Sequence, residues 1–192
     1  MTVGTAGISG VVLAGGASRR MGRDKALIPV DGARLVDRAV RCLRQVADDV
    51  VVASGPRRIP DVAVPQVPDR PADVGPLGGL VAGLVAVEHD LAAVLAVDLA
   101  DPDPGLLGAL ADRWAGEPAL IPSADGRPQP LHAVWAATAA MGLAVLVADG
   151  VRSVARAAEA LGATVLDEAT SSALSGHARW ARNLNRPEDL RG

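Results

Sequence analysis

Apolar and polar positions along the 192-residue chain follow two rhythms, one of short unbroken apolar runs and one of helical spacing. Ile8 to Ala14 is an apolar run stopped by Gly15-Gly16, the pattern of a buried strand that ends in a close-approaching loop. From there Leu35, Val36, Ala39, Val40, Leu43 and Val46 recur at helical spacing, with Arg38, Arg41, Arg44 and Gln45 opposite, which predicts an amphipathic helix. Val50 to Ala53 predicts a second strand, Val62 to Val67 a Pro-bounded third, Gly78 to Val87 a helix of small residues packed on the sheet, and Ala92 to Val97 a fourth strand. Leu106 to Trp114, Thr138 to Ala148 and Val151 to Leu161 predict further helices, and Ala119 to Ile121, Leu131 to Trp135 and Thr164 to Leu166 further strands. The turn-rich stretch from Ile121 to Pro130 predicts a surface loop.

Strands that alternate with helices pair in parallel through right-handed crossovers, and unbroken apolar strands imply a sheet covered on both faces. The expectation is α/β: a three-layer sandwich around a mainly parallel sheet, in one domain spanning residues 1–192. Composition narrows the function classes. Nineteen Lys and Arg stand against 22 Asp and Glu, for a formal net charge of −3, which argues against a surface built to neutralise nucleic acid. The only aromatics are Trp114, Trp135 and Trp180, too few for a base-stacking platform. One cysteine, Cys42, forms no internal disulfide, the start of the chain lacks the features of a signal peptide, and no apolar run approaches membrane-spanning length. These point to a cytoplasmic protein without a membrane partner.

In open parallel sheets ligands gather at the carboxyl ends of the strands. The loop after the first strand reads Leu13-Ala-Gly-Gly-Ala-Ser-Arg-Arg-Met-Gly-Arg-Asp-Lys25. Its glycines allow the backbone to curl toward one point, and Arg19, Arg20, Arg23 and Lys25 add positive charge, as a phosphate chain requires. A glycine turn with solvated arginines is the plainer alternative. The segment fits neither a Walker A loop nor G-x-G-x-x-G.

It resembles, position by position, the L-A-G-G-x-S-x-R-M-G-x-D-K signature of nucleotidyltransferases that move a nucleoside monophosphate onto a phosphorylated acceptor, and this implies a Rossmann-like nucleotidyltransferase fold. Three further segments make the chain similar to the molybdenum cofactor guanylyltransferase (MobA-like) family. Val67-Pro-Asp-Arg-Pro-Ala-Asp-Val-Gly-Pro-Leu-Gly-Gly79 resembles its P-D, spacer, G-P-L-[AG]-G, which carries a nucleotide-holding role to Asp69; a proline-rich loop before a helix, with Asp73 as a local turn or cap, is the alternative. Leu95-Ala-Val-Asp-Leu-Ala-Asp-Pro-Asp-Pro104 resembles the strand that delivers the family's magnesium-binding aspartate, here Asp98, with Asp101 expected to cap the next helix. Asn183-Leu-Asn-Arg-Pro-Glu-Asp-Leu190 resembles the closing N-x-N-T-P-E-D-L, with Asn183 and Asn185 of open role and Arg186 in place of Thr. Apart from those three, Arg127-Pro-Gln-Pro-Leu-His-Ala-Val-Trp135 resembles an acceptor-side segment in which His132 is read as structural. Where some members present an Asn after the second strand, this chain has Ala53-Ser54, so that contact is absent, replaced by Ser54, or made by backbone.

The resemblance implies a Mg²⁺-dependent transfer of GMP from GTP to molybdopterin, bare or molybdenum-loaded, with release of pyrophosphate. By matching position, Lys25 and Asp98 are the implied catalytic residues; Leu13, Ala14, Gly15, Gly16, Lys25, Asp69 and Asp98 bind the nucleotide; and Asp98 ligates the metal. Implied protein partners are molybdenum cofactor biosynthesis proteins or molybdoenzymes. A cytidylyltransferase acting on the same pterin, a related sugar or isoprenoid nucleotidyltransferase, and a noncatalytic nucleotide-binding partner are the competing readings. The presence of both Lys25 and Asp98 weighs against the last.

Overall fold

The computed structural model describes residues 7–15, 24–177 and 179–184. The chain runs through β1 (Ile8–Leu13), a 3-10 turn (Lys25–Leu27), β2 (Pro29–Val30), β3 (Ala33–Arg34), α1 (Leu35–Leu43), β4 (Asp49–Ala53), β5 (Gln66–Val67), α2 (Pro76–Ala86) and β6 (Leu91–Ala96). It continues through α3 (Pro104–Arg113), β7 (Ala119–Ile121), β8 (Ser123–Ala124), β9 (Arg127–Pro128), β10 (His132–Ala136), α4 (Ala139–Ala148), α5 (Val154–Ala160), β11 (Thr164–Val165) and α6 (Glu168–Leu174). Among the described residues, the main sheet has seven strands in the order β11-β7-β10-β6-β1-β4-β5.

Strand side chains sort between two apolar layers at a period of two. Val12, Val50, Val52, Ala93, Leu95 and Val134 face one layer with α1 and α3. Val11, Val51, Ala92, Val94, Ala133 and Trp135 face the other with α2, α4 and α5. This is the expected three-layer α/β sandwich. It is held almost wholly by aliphatic packing, and α2 sits close because Gly83 lies against Val11, where a Cβ would collide with the valine side chain.

The sheet departs from fully parallel pairing at one strand. β1 pairs in parallel with β4 and β6, but β10 runs antiparallel to both β6 and β7. Two other expectations are corrected. The third strand was expected over Val62 to Val67, yet only Gln66–Val67 pairs with β4. Asp61 turns the backbone to φ 54°, and Val62 and Val64 pack against the core from an irregular segment. The expected surface loop at Ile121 to Pro130 contains the β8–β9 hairpin, turned at Asp125 and Gly126, both with positive φ. No helix among the described residues is long and apolar enough to cross a membrane.

The order of strands places the site. From β1 the chain moves outward to β4 and β5, then crosses back to β6 on the opposite side of β1. The direction of winding therefore reverses between β1 and β6, the place where ligands bind to open α/β sheets, at the carboxyl ends of the strands.

Candidate active site

The carboxyl ends of β1, β4, β5 and β6 bring together residues far apart in sequence. Lys25 and Asp98 meet across 73 positions, with Nζ 3.1 Å from Oδ2 and each side chain about a quarter exposed or less (21% and 25%). Lys25 opens the 3-10 turn, whose start is capped by Asp24 accepting from the Ala26 N–H, and Arg57 lies 3.3 Å from the other Asp24 oxygen. Asp98 follows β6 in a turn held by two backbone contacts from the C-terminal segment: Leu184 N–H donates to Asp98 O at 2.8 Å and Ala100 N–H to Arg182 O at 2.9 Å.

Leu13 and Ala14 are buried at the end of β1. The N–H groups of Ala14 and Gly15 both donate to Ala53 O, at 2.8 and 3.0 Å, so what these residues can offer a ligand is shape, not donors. Gly15 is needed for that shape: a Cβ there would lie 2.5 Å from one Asp69 oxygen and 2.9 Å from Gly55 Cα. Gly16 and the loop cations Arg19, Arg20 and Arg23, like Asn185 and Arg186, lie outside the described residues.

Asp69 stands beside this floor, two residues past β5. Its Oδ1 accepts from Gly55 N–H at 3.0 Å, and Gly79 on α2 is so near that a Cβ would come within 3.2 Å of the carboxylate. Burial raises its pKa above the ordinary aspartate value, and the Gly55 N–H offsets part of that rise. Asp73 caps no helix, since α2 starts after Gly75, but it does serve a turn, with φ 60°. Ser54, where some family members present an Asn, turns its hydroxyl to Val67 O at 3.4 Å.

The expectation that Asp101 caps the following helix is corrected. Asp103 is the N-cap of α3, accepting from Gly105 and Leu106 N–H, while Asp101 faces Arg38 at 3.8 Å. An aspartate directly before Pro104 is the better cap, because a proline suits the first helical position, and the D-P-D-P repeat hid which of the two serves. The second Asp103 oxygen accepts from Gly176 N–H at 2.6 Å.

Beside Asp98 lies a cleft of about 290 Å³, bordered by Gln129, Leu131, His132, Val154 and Asn183. Asn183 is exposed and its backbone forms an antiparallel bridge with Leu99. His132 is fully buried, its ring nitrogens 3.2 Å from Trp180 O and 3.3 Å from Asp103 O, with the Trp180 ring edge-on. Burial lowers its pKa to about 4, so it is neutral and structural, as read from its apolar neighbours. Gln129 and Asn183 had no assigned role in the sequence reading. Their only sequence signal was the similarity of the segments around them to the family's.

Known proteins bear directly on this geometry. A family model described as MobA-like NTP transferase domain matches residues 10–166. A protein of Chloroflexus aggregans named as a probable molybdenum cofactor guanylyltransferase is 36% identical over 191 residues, covering 96% of this chain and 92% of its own. The molybdenum cofactor guanylyltransferase of Rhodobacter capsulatus is 32% identical over 185 residues, covering 95% and 93%. The crystal structure of molybdopterin-guanine dinucleotide biosynthesis protein A from Archaeoglobus fulgidus superposes with a TM-score of 0.78 at 25% identity, over 95% of each chain. With the sheet's winding reversed between β1 and β6 and matches of this extent, the chain belongs to the MobA-like NTP transferase domain family and is a nucleotidyltransferase.

Proposed function

We propose that this protein works as one cytoplasmic nucleotidyltransferase domain that transfers GMP from GTP to molybdopterin, bare or molybdenum-loaded, and releases pyrophosphate. A terminal phosphate oxygen of the acceptor attacks the α-phosphorus of GTP; the bond from the α-phosphorus to the bridging oxygen breaks, and the pyrophosphate carries that electron pair away. The acceptor brings its own nucleophile, so the protein's task is to align two anions and offset charge.

The observation that carries this reading is the Lys25–Asp98 pair, held at 3.1 Å where the strands reverse their winding. In this reading Lys25 meets phosphate oxygens with its ammonium group. Asp69, packed against Gly15, Gly55 and Gly79, offers one carboxylate to the nucleoside end of the ligand. The cleft bordered by Gln129, Leu131 and Asn183, continuous with Asp98, is where the acceptor enters.

A magnesium ion fits the donor set. Among the described residues no group of three or more His, Cys, Asp or Glu is assembled to hold a metal, and Asp98 supplies a single partly exposed carboxylate at a strand end. One carboxylate completed by substrate phosphates and water is the usual way this hard cation is held. When bound, the ion supplies electrostatic relief for charge gathering at phosphorus.

The test is pyrophosphate release with Mg²⁺ and molybdopterin, with GTP, CTP, ATP and UTP in separate reactions and Asp98→Ala alongside. Turnover with GTP alone, abolished in the variant, is the expected result. Turnover with CTP instead would reassign the base and leave the mechanism, whereas no turnover with any nucleotide would overturn the reading.

A further inference from the structure

We infer that Arg38 is a positioning residue that locks the segment carrying Lys25 to the turn carrying Asp98, an inference that rests on the roles proposed for those two side chains. Lys25 and Asp98 sit on separate pieces of chain, and neither piece belongs to a long regular element. After the 3-10 turn the chain makes the two-residue hairpin β2–β3, turned at Asp31 and Gly32 with φ 50° and 79°. After β6 it makes the turn Val97 to Asp101. Arg38, one turn into α1, reaches both.

The contacts divide between the two nitrogens at the tip. Nη1 donates to Asp31 Oδ2 at 3.0 Å and to Val30 O at 3.4 Å, on the Lys25 side. Nη2 donates to Ala100 O at 2.9 Å and lies 3.8 Å from Asp101 Oδ1, on the Asp98 side. The guanidinium is rigid and planar, so the positions of its two tip nitrogens fix the separation of the two turns. A lysine, with one ammonium on a flexible stem, could serve either turn but not set the distance between them.

The energetics point to position more than stability. Asp31 is 81% exposed and its ion pair is screened by water. The Arg38 Nε is buried with no hydrogen-bond partner among the described residues, which is a cost to the fold. What the arrangement secures is a fixed spacing, and misplacement of reacting groups by about 1 Å can lower turnover by as much as roughly 10²-fold.

Arg38→Met and Arg38→Lys, compared with the native protein by steady-state kinetics, thermal melting and hydrogen exchange, test the idea. We expect Arg38→Met to stay folded, to keep KM for GTP within about twofold, and to lose roughly tenfold or more in kcat. Amides of residues 24–34 and 98–103 should gain exchange together, with β1 and β4 unchanged. Arg38→Lys should restore the charge but not kcat. Native kcat per folded molecule in either variant, or loosening of one segment without the other, would overturn the role. If Arg38→Met does not fold, the same two readouts on Arg38→Lys decide. Failure of the underlying reading is separately visible, since Lys25→Ala would then keep its turnover while the exchange coupling persisted.

Discussion

The two ends of the central strands carry similar polar chemistry and use it differently. At the amino ends, Ser9 is fully buried, donates to Asp49 Oδ1 at 2.5 Å and accepts from the N–H groups of Glu88 and His89. Asp48 accepts from Ile8 N–H, and the His89 ring lies 3.5 Å from Asp48. Each group there is matched to backbone or to a near neighbour, and the cluster closes the sheet. At the carboxyl ends, the Lys25–Asp98 pair is held across 73 positions of sequence, and Asp69 has its Gly55 N–H. The charges at this end are held near one another by the loops that bear them, which leaves them able to exchange partners with a ligand. Burial alone does not separate the two clusters: Asp49 and Asp98 are both 25% exposed. What separates them is where they stand: the amino-end groups tie β1 to β4 and to the segment after α2, whereas the carboxyl-end groups stand on loops at the strand ends where ligands of such sheets bind.

The largest effect that would test this contrast is at Lys25. A partly exposed ion pair contributes about 0–1 kcal/mol to the fold. Lys25→Ala should therefore melt within a few degrees of the native protein while turnover in pyrophosphate release falls roughly 10²-fold or more, the scale of a removed transition-state donor. Retention of near-full activity would erase the distinction between the two ends.

His132 sharpens the contrast because it is a closed polar group at the open end. It begins β10, opposite Leu95, where the neutral ring has one N–H to donate to either Trp180 O or Asp103 O, with Asp103 and His177 its ionisable neighbours. Its folded pKa is about 4 against an ordinary value of 6.5, so the neutral form is favoured by folding. Above pH 6.5 both states are neutral and the contribution is fully present. As pH falls toward 4 the unfolded chain takes up a proton that the folded chain refuses, so stability drops by about 3 kcal/mol. Urea unfolding at pH 7 and at pH 4.5 should show a smaller loss in His132→Gln than in the native protein; equal losses would remove His132 from the set of closed groups.

How much of this was legible in the sequence follows from the range of the interactions concerned. The layers were legible because Val11, Val12 and Leu13, or Leu35, Val36 and Ala39, encode period and burial locally. The glycine loop and the positive charge of Lys25 were legible from the residues themselves, whereas Asp69 and Asp98 were legible through the resemblance of their segments to the family's. Other features depend on partners chosen in three dimensions. Nothing in Leu131 to Trp135 states that β10 runs antiparallel, since the β8–β9 hairpin before it sets that direction. The choice of Asp103 over Asp101 as cap needed the start of α3, and the Arg38 bridge joins turns that are neighbours only after β1, β6 and α1 have packed.

The smallest effect tests the amino end, where the prediction is stability without function. Ser9→Ala removes the hydroxyl that satisfies Asp49 and two backbone N–H groups at once, leaving donors that water reaches only in part. The cost should be about 1–2 kcal/mol, on the scale of a buried donor left without its partner. In a chain of this length that lowers the melting temperature by roughly 2–8 °C. Because Ser9 lies at the opposite end of β1 from Gly15, kcat and KM for GTP measured well below the melting transition should match the native values. A fall in kcat with the melting temperature unchanged would mean that the two ends communicate along β1, and that the amino-end cluster does more than close the sheet.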